Sequence, residues 1–224
     1  MAEPTPTDRI PEASGEERAR RRAALELTAV VATGGLHLLF ESVLHAKAAF
    51  IVAAGIGWCS YLVWRVRREP EALEVWGLRG DNLAPAFRRA ALASVPCAGF
   101  LLCLTAILDH QIPLIPLAWM LALYPFWGLV QQFLLQAIVA SNIARVAGRR
   151  LPAVLIAATL FGVVHAPDWA LCGLTFGVGL IFIPLWFWTP NILPLGLFHG
   201  WLGALAYLGV LGRDPWAEIL KELR

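Results

Sequence analysis

Apolar residues fill long stretches of this chain, and polar residues collect in short segments between them. Each stretch approaches the roughly 20 residues that a helix needs to cross about 30 Å of hydrocarbon. Lipid offers no partner to an exposed strand edge, and the alternation typical of membrane barrels is absent, so the stretches are predicted to be helices. Seven are predicted, at about 24–44, 47–64, 90–108, 112–141, 151–167, 170–188 and 191–211.

Composition agrees with this pattern. The chain has 224 residues, of which 58% are hydrophobic and 15% are charged, whereas soluble domains average about 45–50% and about 25%. We therefore predict an all-α, multi-spanning transmembrane helix bundle of about seven spans in a lipid bilayer. No basic patch with interleaved aromatic residues indicates nucleic acid. The predicted parts are a disordered cytoplasmic tail at 1–22, a transmembrane domain at 23–212 and a short amphipathic helix at 213–224.

Arginines mark one side of the predicted bundle. They precede the first predicted span, lie between the second and third, and lie between the fourth and fifth, at 18–22, 65–89 and 145–150. Because arginine and lysine in short loops favour the cytoplasmic side, the N-terminus is predicted to be cytoplasmic. The loops and tail are consistent with a plasma or inner membrane.

Small residues and prolines mark the last two predicted helices. Glycines four residues apart allow close helix contact, and two such pairs occur, Gly173/Gly177 and Gly196/Gly200. Prolines crowd the junction between the two helices, at 184, 190 and 194. One of the two helices is therefore a candidate for a broken or re-entrant segment.

Five polar residues stand out within the apolar stretches. His165 and His199 lie inside spans, where an imidazole is costly unless it has a partner or a task. A hydrogen-bonded core imidazole and a metal ligand are both compatible with each histidine. Gln132 and Gln136 share a helix face with Gln131 beside them, and glutamines also serve as hydrogen bonds between helices.

Helical arithmetic tests whether these polar residues meet. Gln131 lies 14 residues before Arg145, and His165 lies 15 residues after Arg150. Both positions are roughly 21–22 Å along their helices from the basic loop that joins them. His199 is predicted to be shallower, and tilt or a broken helix would bring it to the others. The pattern is compatible with one intramembrane polar cluster.

The first predicted span carries further polar residues on one face. His37, Glu41 and His45 follow one another at intervals of four residues. An acidic residue within a span is a functional candidate by default, and Glu41 is a candidate carboxylate for the polar cluster. The alternative places Glu41 and His45 near the outer surface beside Lys47. Asp168 is expected at an outer helix boundary.

Three motifs in this chain resemble the CAAX-protease and bacteriocin-processing (CPBP) family of intramembrane metalloendopeptidases. The resemblance covers about residues 75–210. The family patterns EExxxR, FxxxH and HxxxN fall, in chain order, on Gln131-Gln132-Phe-Leu-Leu-Gln136, Phe161-Gly-Val-Val-His165 and His199-Gly-Trp-Leu-Gly203. The order, the spacing and the basic loop between the first two motifs match the family.

The resemblance implies a metal-dependent CAAX-type endopeptidase that cleaves a prenylated or membrane-associated peptide. It implies that His165 and His199 hold zinc or another divalent metal. Glutamine stands at both glutamate positions, however, and an amide cannot replace a carboxylate as general base. Glutamine also stands at the arginine position, and removing both signs avoids an unpaired buried charge.

Three readings therefore stay open. The first is a variant endopeptidase that takes its carboxylate from elsewhere. The second is a non-catalytic peptide-binding, scaffold or immunity protein on the same fold. The third is a proton or ion pathway through His37, Glu41, His165 and His199.

Overall fold

The computed structural model describes residues 15–215 and 217, and every regular element in this part of the chain is helical. This confirms the all-α prediction. The α-helices are α1 (Gly15–Ser42), α2 (Lys47–Arg68), α3 (Ala72–Val75), α4 (Leu83–Ile107), α5 (Leu114–Gln132), α6 (Ser141–Ala147), α7 (Arg150–Val163), α8 (Trp169–Trp188) and α9 (Ile192–Leu205). Two π-helical segments follow α5 and α9, at Phe133–Ala140 and Ala206–Val210.

Six helical stretches among the described residues are long and apolar enough to cross a membrane. One of them is continuous over Leu114–Ala147, because α5, the first π-helical segment and α6 follow one another without a break. The remaining predicted span corresponds to α7, a shorter apolar helix of 14 residues. The bundle is thus consistent with about seven spans.

Several predicted boundaries differ from the structure. Residues 15–22, predicted as part of a polar tail, form the first turns of α1. The rest of that tail lies outside the described residues, as does most of the predicted helix at 213–224. The last two predicted spans are two separate helical stretches, each long and apolar enough to cross a membrane, with Pro190 in the loop between them.

Glycines bring α9 close to α5. A Cβ atom added at Gly196 or Gly200 would lie 2.5 Å from an atom of α5, so only glycine fits at these positions. A Cβ atom at Gly173 or Gly177 would meet open space instead. Close helix contact is thus made by the second predicted glycine pair and not by the first. α9 is the most buried of the six spanning stretches and packs between α4 and α5.

Candidate functional site

Three chain segments bring Gln131, His165 and His199 together. Gln131 lies in the last turn of α5, His165 lies in the turn after α7, and His199 lies within α9. The side-chain nitrogen of Gln131 is 3.5 Å from Nε2 of His165. Its oxygen is 3.1 Å from Nε2 of His199. These three residues, called the Gln131 cluster below, join three parts of the bundle through one amide.

The hydrogen-bond partners assign the protons of this cluster. Nδ1 of His165 lies 2.7 Å from the carbonyl oxygen of Phe161, so Nδ1 carries the proton and Nε2 accepts from the Gln131 amide. The Gln131 oxygen can only accept, so His199 donates to it from Nε2. Nδ1 of His199 is then a buried acceptor without a partner among the described residues. Both imidazoles are neutral in this arrangement.

Phe161 holds both imidazoles in place. Its ring centroid is 5.3 Å from that of His165 and 5.4 Å from that of His199. Its carbonyl oxygen accepts from the histidine one helical turn later. His199 is only 6% exposed, whereas His165 is half-buried. The cluster is therefore reached from the side of His165, with His199 behind Gln131.

A second amide pair lies next to the cluster. Gln132 and Gln136 are each 0% exposed, and Nε2 of Gln136 donates to Oε1 of Gln132 at 2.9 Å. The other donor of the pair, on Gln132, and the other acceptor, on Gln136, have no partner among the described residues. The pair occupies the positions of an oppositely charged pair in the EExxxR pattern, and it keeps one hydrogen bond without either charge.

The comparison with protein families identifies this part of the chain. A family model described as type II CAAX prenyl endopeptidase, Rce1-like, matches residues 113–205, which contain the Gln131 cluster and the Gln132–Gln136 pair. Residues 113–205 of this chain are thus similar to the CAAX-protease family. A search of curated proteins and a search of solved structures gave no significant match. The family match and the apolar helices together make this CAAX-protease relative an integral, multi-pass membrane protein.

The side chains of the Gln131 cluster and of the Gln132–Gln136 pair do not fit a divalent metal. Catalytic zinc sites use three protein ligands, with a carboxylate or thiolate in many of them. Among the described residues, no group of three or more His, Cys, Asp or Glu side chains is arranged to hold a metal ion. The Gln131 oxygen already accepts a hydrogen bond from His199. The remaining donor set is neutral, so it offers little to balance a double positive charge.

The other polar residues that the sequence singled out lie in different surroundings. His37 on α1 has its ring 6.1 Å from that of Phe50 on α2. Asp168 accepts from a backbone N–H in the first turn of α8 and pairs with Arg213. The side chain of Glu41 lies outside the described part of the chain, so its supply of a carboxylate stays a prediction.

The sequence pattern did not single out Glu26, a carboxylate that the structure shows to be buried. Glu26 on α1 is buried and accepts from Arg65 and Tyr61 on α2 and from Asn142 on α6. These four residues are called the Glu26 cluster below. The rule that singled out Glu41, an acidic residue within an apolar stretch, applies equally to Glu26. Glu26 lies close to the N-terminal arginines, and this proximity made it resemble a surface residue.

Proposed function

We propose that this protein binds a prenylated or otherwise membrane-associated peptide at the Gln131 cluster and does not hydrolyse it. The hydrogen bonding of the Gln131 amide to both histidines carries the proposal. A catalytic carboxylate at this position would take a proton from water, and an amide cannot do so near neutral pH. The residues at the family's motif positions therefore offer hydrogen-bonding groups to a peptide but no carboxylate.

The half-buried members of the cluster provide the binding groups. Nε2 of Gln131 carries two N–H groups, so one of them is able to donate to a peptide carbonyl while the other faces His165. The 3.5 Å separation between Gln131 and His165 is long for a hydrogen bond. A peptide N–H is therefore able to replace the Gln131 donor at Nε2 of His165. His199 fixes the amide from behind.

The same proposal includes the orientation of the protein. The N-terminus is cytoplasmic because the arginines at the start of α1, those around the α2–α4 connection and those around the α6–α7 connection share one side. The membrane is a plasma or inner membrane. In this orientation Gln131 lies roughly 21 Å from the basic cytoplasmic loop, along the π-helical segment and α6, and His165 lies roughly 22 Å from it along α7.

Photo-crosslinking tests the proposal directly. The protein in lipid nanodiscs is incubated with a prenylated peptide that carries a photoreactive residue near its C-terminus, and the products are weighed by mass spectrometry. We expect saturable capture of intact peptide. Gln131→Leu should lower capture about tenfold, the equivalent of one hydrogen bond to the peptide. Thr159→Ala on the exposed face of α7 is the matched control. Equal capture by Gln131→Leu and wild type would reject the binding site.

CAAX-type endopeptidase activity is the second candidate. The convergence of two imidazole Nε2 atoms on one amide favours it. A carboxylate would then have to come from elsewhere, with Glu41 as the candidate. Shortened peptide in the same experiment, absent with His165→Ala, would favour this reading over pure binding. If Glu41→Gln left such cleavage unchanged, Glu41 would be excluded as its source of carboxylate.

A further inference from the structure

The Glu26 cluster connects the first two helices to the family core. One carboxylate oxygen of Glu26 accepts from Nη1 of Arg65 at 2.7 Å and from the Tyr61 hydroxyl. The other oxygen accepts from Nδ2 of Asn142 at 2.6 Å. Glu26, Tyr61 and Arg65 lie outside the segment that matches the family, whereas Asn142 lies inside it. Two separate parts of the chain therefore share one buried carboxylate.

The bond to Asn142 is not needed for charge balance. Arg65 already supplies the opposite charge, and a buried ion pair has its remaining lone pairs satisfied by further donors. What Asn142 adds is a link between positions 116 residues apart. Since Asn142 is itself buried, its amide would lose a partner if the link were broken.

Asn142 lies on the same continuous helix as Gln131. Between the two residues lies the first π-helical segment, Phe133–Ala140, and Asn142 follows it by two positions. π-helical turns bond i to i+5, are rare, and mostly occur as single turns. Conversion of such a segment to α-helix shifts the register by about one residue, which rotates one end against the other by about 100°. The orientation of Gln131 therefore depends on how the far end is held.

A second contact holds the same end from the other side. Oγ of Ser141 donates to the carbonyl oxygen of Gln136 at 2.9 Å and accepts from Nε1 of Trp186 on α8, also at 2.9 Å. Ser141 and Asn142 are adjacent, so the helix is fixed against α8 by one residue and against α1 by the next. Two neighbouring anchors define a rotation as well as a position.

We propose that Glu26 is a positioning residue, which holds the rotation of the helix that carries Gln131 by binding Asn142. Through this contact α1 sets the geometry of the Gln131 cluster, although α1 lies outside the family-matched segment. The proposal concerns the same site as the proposed function, but its first readout does not require that any peptide binds.

The side-chain ¹⁵N NMR signals of His165 and His199 report the geometry of the Gln131 cluster. In nanodisc protein labelled with ¹⁵N-histidine, the side-chain signals of His165 and His199 are assigned through single histidine variants. Asn142→Leu keeps the Glu26–Arg65 ion pair, and we expect it to shift both signals. The exchanged pair Glu26→Gln/Asn142→Asp keeps a hydrogen bond between these positions, and we expect signals close to wild type. Thr28→Ala, an exposed change on α1, is the control.

Each outcome decides the positioning role. Wild-type signals in folded Asn142→Leu protein would overturn it. If Asn142→Leu does not fold, Asn142→Asp decides: displaced signals that return to wild type when Glu26→Gln is added support the role, and wild-type signals in Asn142→Asp alone reject it. Peptide capture is measured in parallel, and we expect about a tenfold loss with Asn142→Leu, the equivalent of one hydrogen bond. Capture absent from wild type would reject the proposed function while leaving the result for the imidazole signals intact.

Discussion

Two buried polar clusters of this protein use opposite chemistry. The Glu26 cluster keeps a carboxylate and a guanidinium 2.7 Å apart, with side chains only 9% and 11% exposed. The Gln131 cluster and the Gln132–Gln136 pair consist of neutral amides and imidazoles. The two regions are joined by one helix, and Asn142 lies roughly 16 Å along it from Gln131.

The difference bears on whether a buried polar position requires charged side chains for stability. An ion pair is costly where desolvation is complete, and well-packed neutral groups often replace one without loss of stability. At Gln132 and Gln136, which are fully buried, an amide hydrogen bond takes that place. At these two positions the helices therefore pack around one neutral hydrogen bond, without the charges of the EExxxR pattern.

Breaking the ion pair of the Glu26 cluster should have the largest effect on the free energy of unfolding. Arg65→Met leaves Glu26 buried beside neutral partners only, and we expect a loss of about 3–5 kcal/mol in unfolding free energy. Unfolding is followed by circular dichroism during titration with SDS in mixed micelles. Glu26→Leu/Arg65→Met removes both charges and should recover most of the loss. A single variant as stable as wild type would show that the ion pair is not effectively buried.

Placing a charge in the neutral pair should have the next largest effect. Gln132→Glu introduces one carboxylate at a fully buried position, and we expect a loss of about 2–3 kcal/mol at pH 8. Gln132→Glu/Gln136→Arg supplies the opposite charge and should lose less. Gln111→Glu makes the same chemical change in an exposed loop and serves as the control in the same SDS titration. Equal losses in the single and double variants would mean that the two positions do not interact.

Separating α5 from α9 tests whether their close contact holds the Gln131 cluster together. Gly200→Ala places a Cβ atom 2.5 Å from the backbone of Pro125, and we expect a loss of about 1–3 kcal/mol from overpacking. Peptide capture should fall as well, because the same contact sets the distance from Gln131 to His199. Gly173→Ala adds a methyl group in open space and should gain up to about 1 kcal/mol of helix stability. A loss with Gly173→Ala instead would point to an interface at that face.

The spans and part of the site could be predicted from the sequence. Stretches of about 20 apolar residues encode spanning helices directly. The equal depth of Gln131 and His165 followed from counting residues to the basic loop between their helices, and the structure places these side chains 3.5 Å apart. Depth along a helix is a local property, so counting is enough. His199 was expected to be shallower, yet it donates to the same amide.

Rotation and distant pairing could not be predicted. Gly173/Gly177 and Gly196/Gly200 have the same spacing, and only the packed structure shows that the second pair faces a neighbour. The hydrogen bond from Asn142 to Glu26 joins positions 116 residues apart, with several spans between them in the sequence. The π-helical segment between Gln131 and Asn142 has no signature in the hydrophobic pattern. These features depend on tertiary contacts, which a single sequence does not encode in a readable way.

The smallest expected effect concerns Glu69, an exposed carboxylate that pairs with Arg65 of the Glu26 cluster. Glu69 pairs with Arg22 at 2.7 Å and with Arg65 at 3.1 Å, and its side chain is 41% exposed. The hydrogen bond from Arg22 is the main cause that lowers the pKa of Glu69 below its ordinary value of 4.5. A lowered pKa stabilises the fold above that value, and the stabilisation is lost as the pH falls through the folded-state pKa.

Because solvent and salt screen this exposed pair, the contribution should stay below about 1 kcal/mol. We therefore expect the stability difference between wild type and Glu69→Gln to be present at pH 7 and to vanish as the pH falls from 4.5 toward the folded-state pKa. Thermal unfolding in detergent at several pH values measures it, with 0.5 M salt as the control that should reduce the difference at pH 7. A difference that grows on acidification would contradict the sign. A difference as large as that of Arg65→Met would remove the distinction between a screened pair and a buried one.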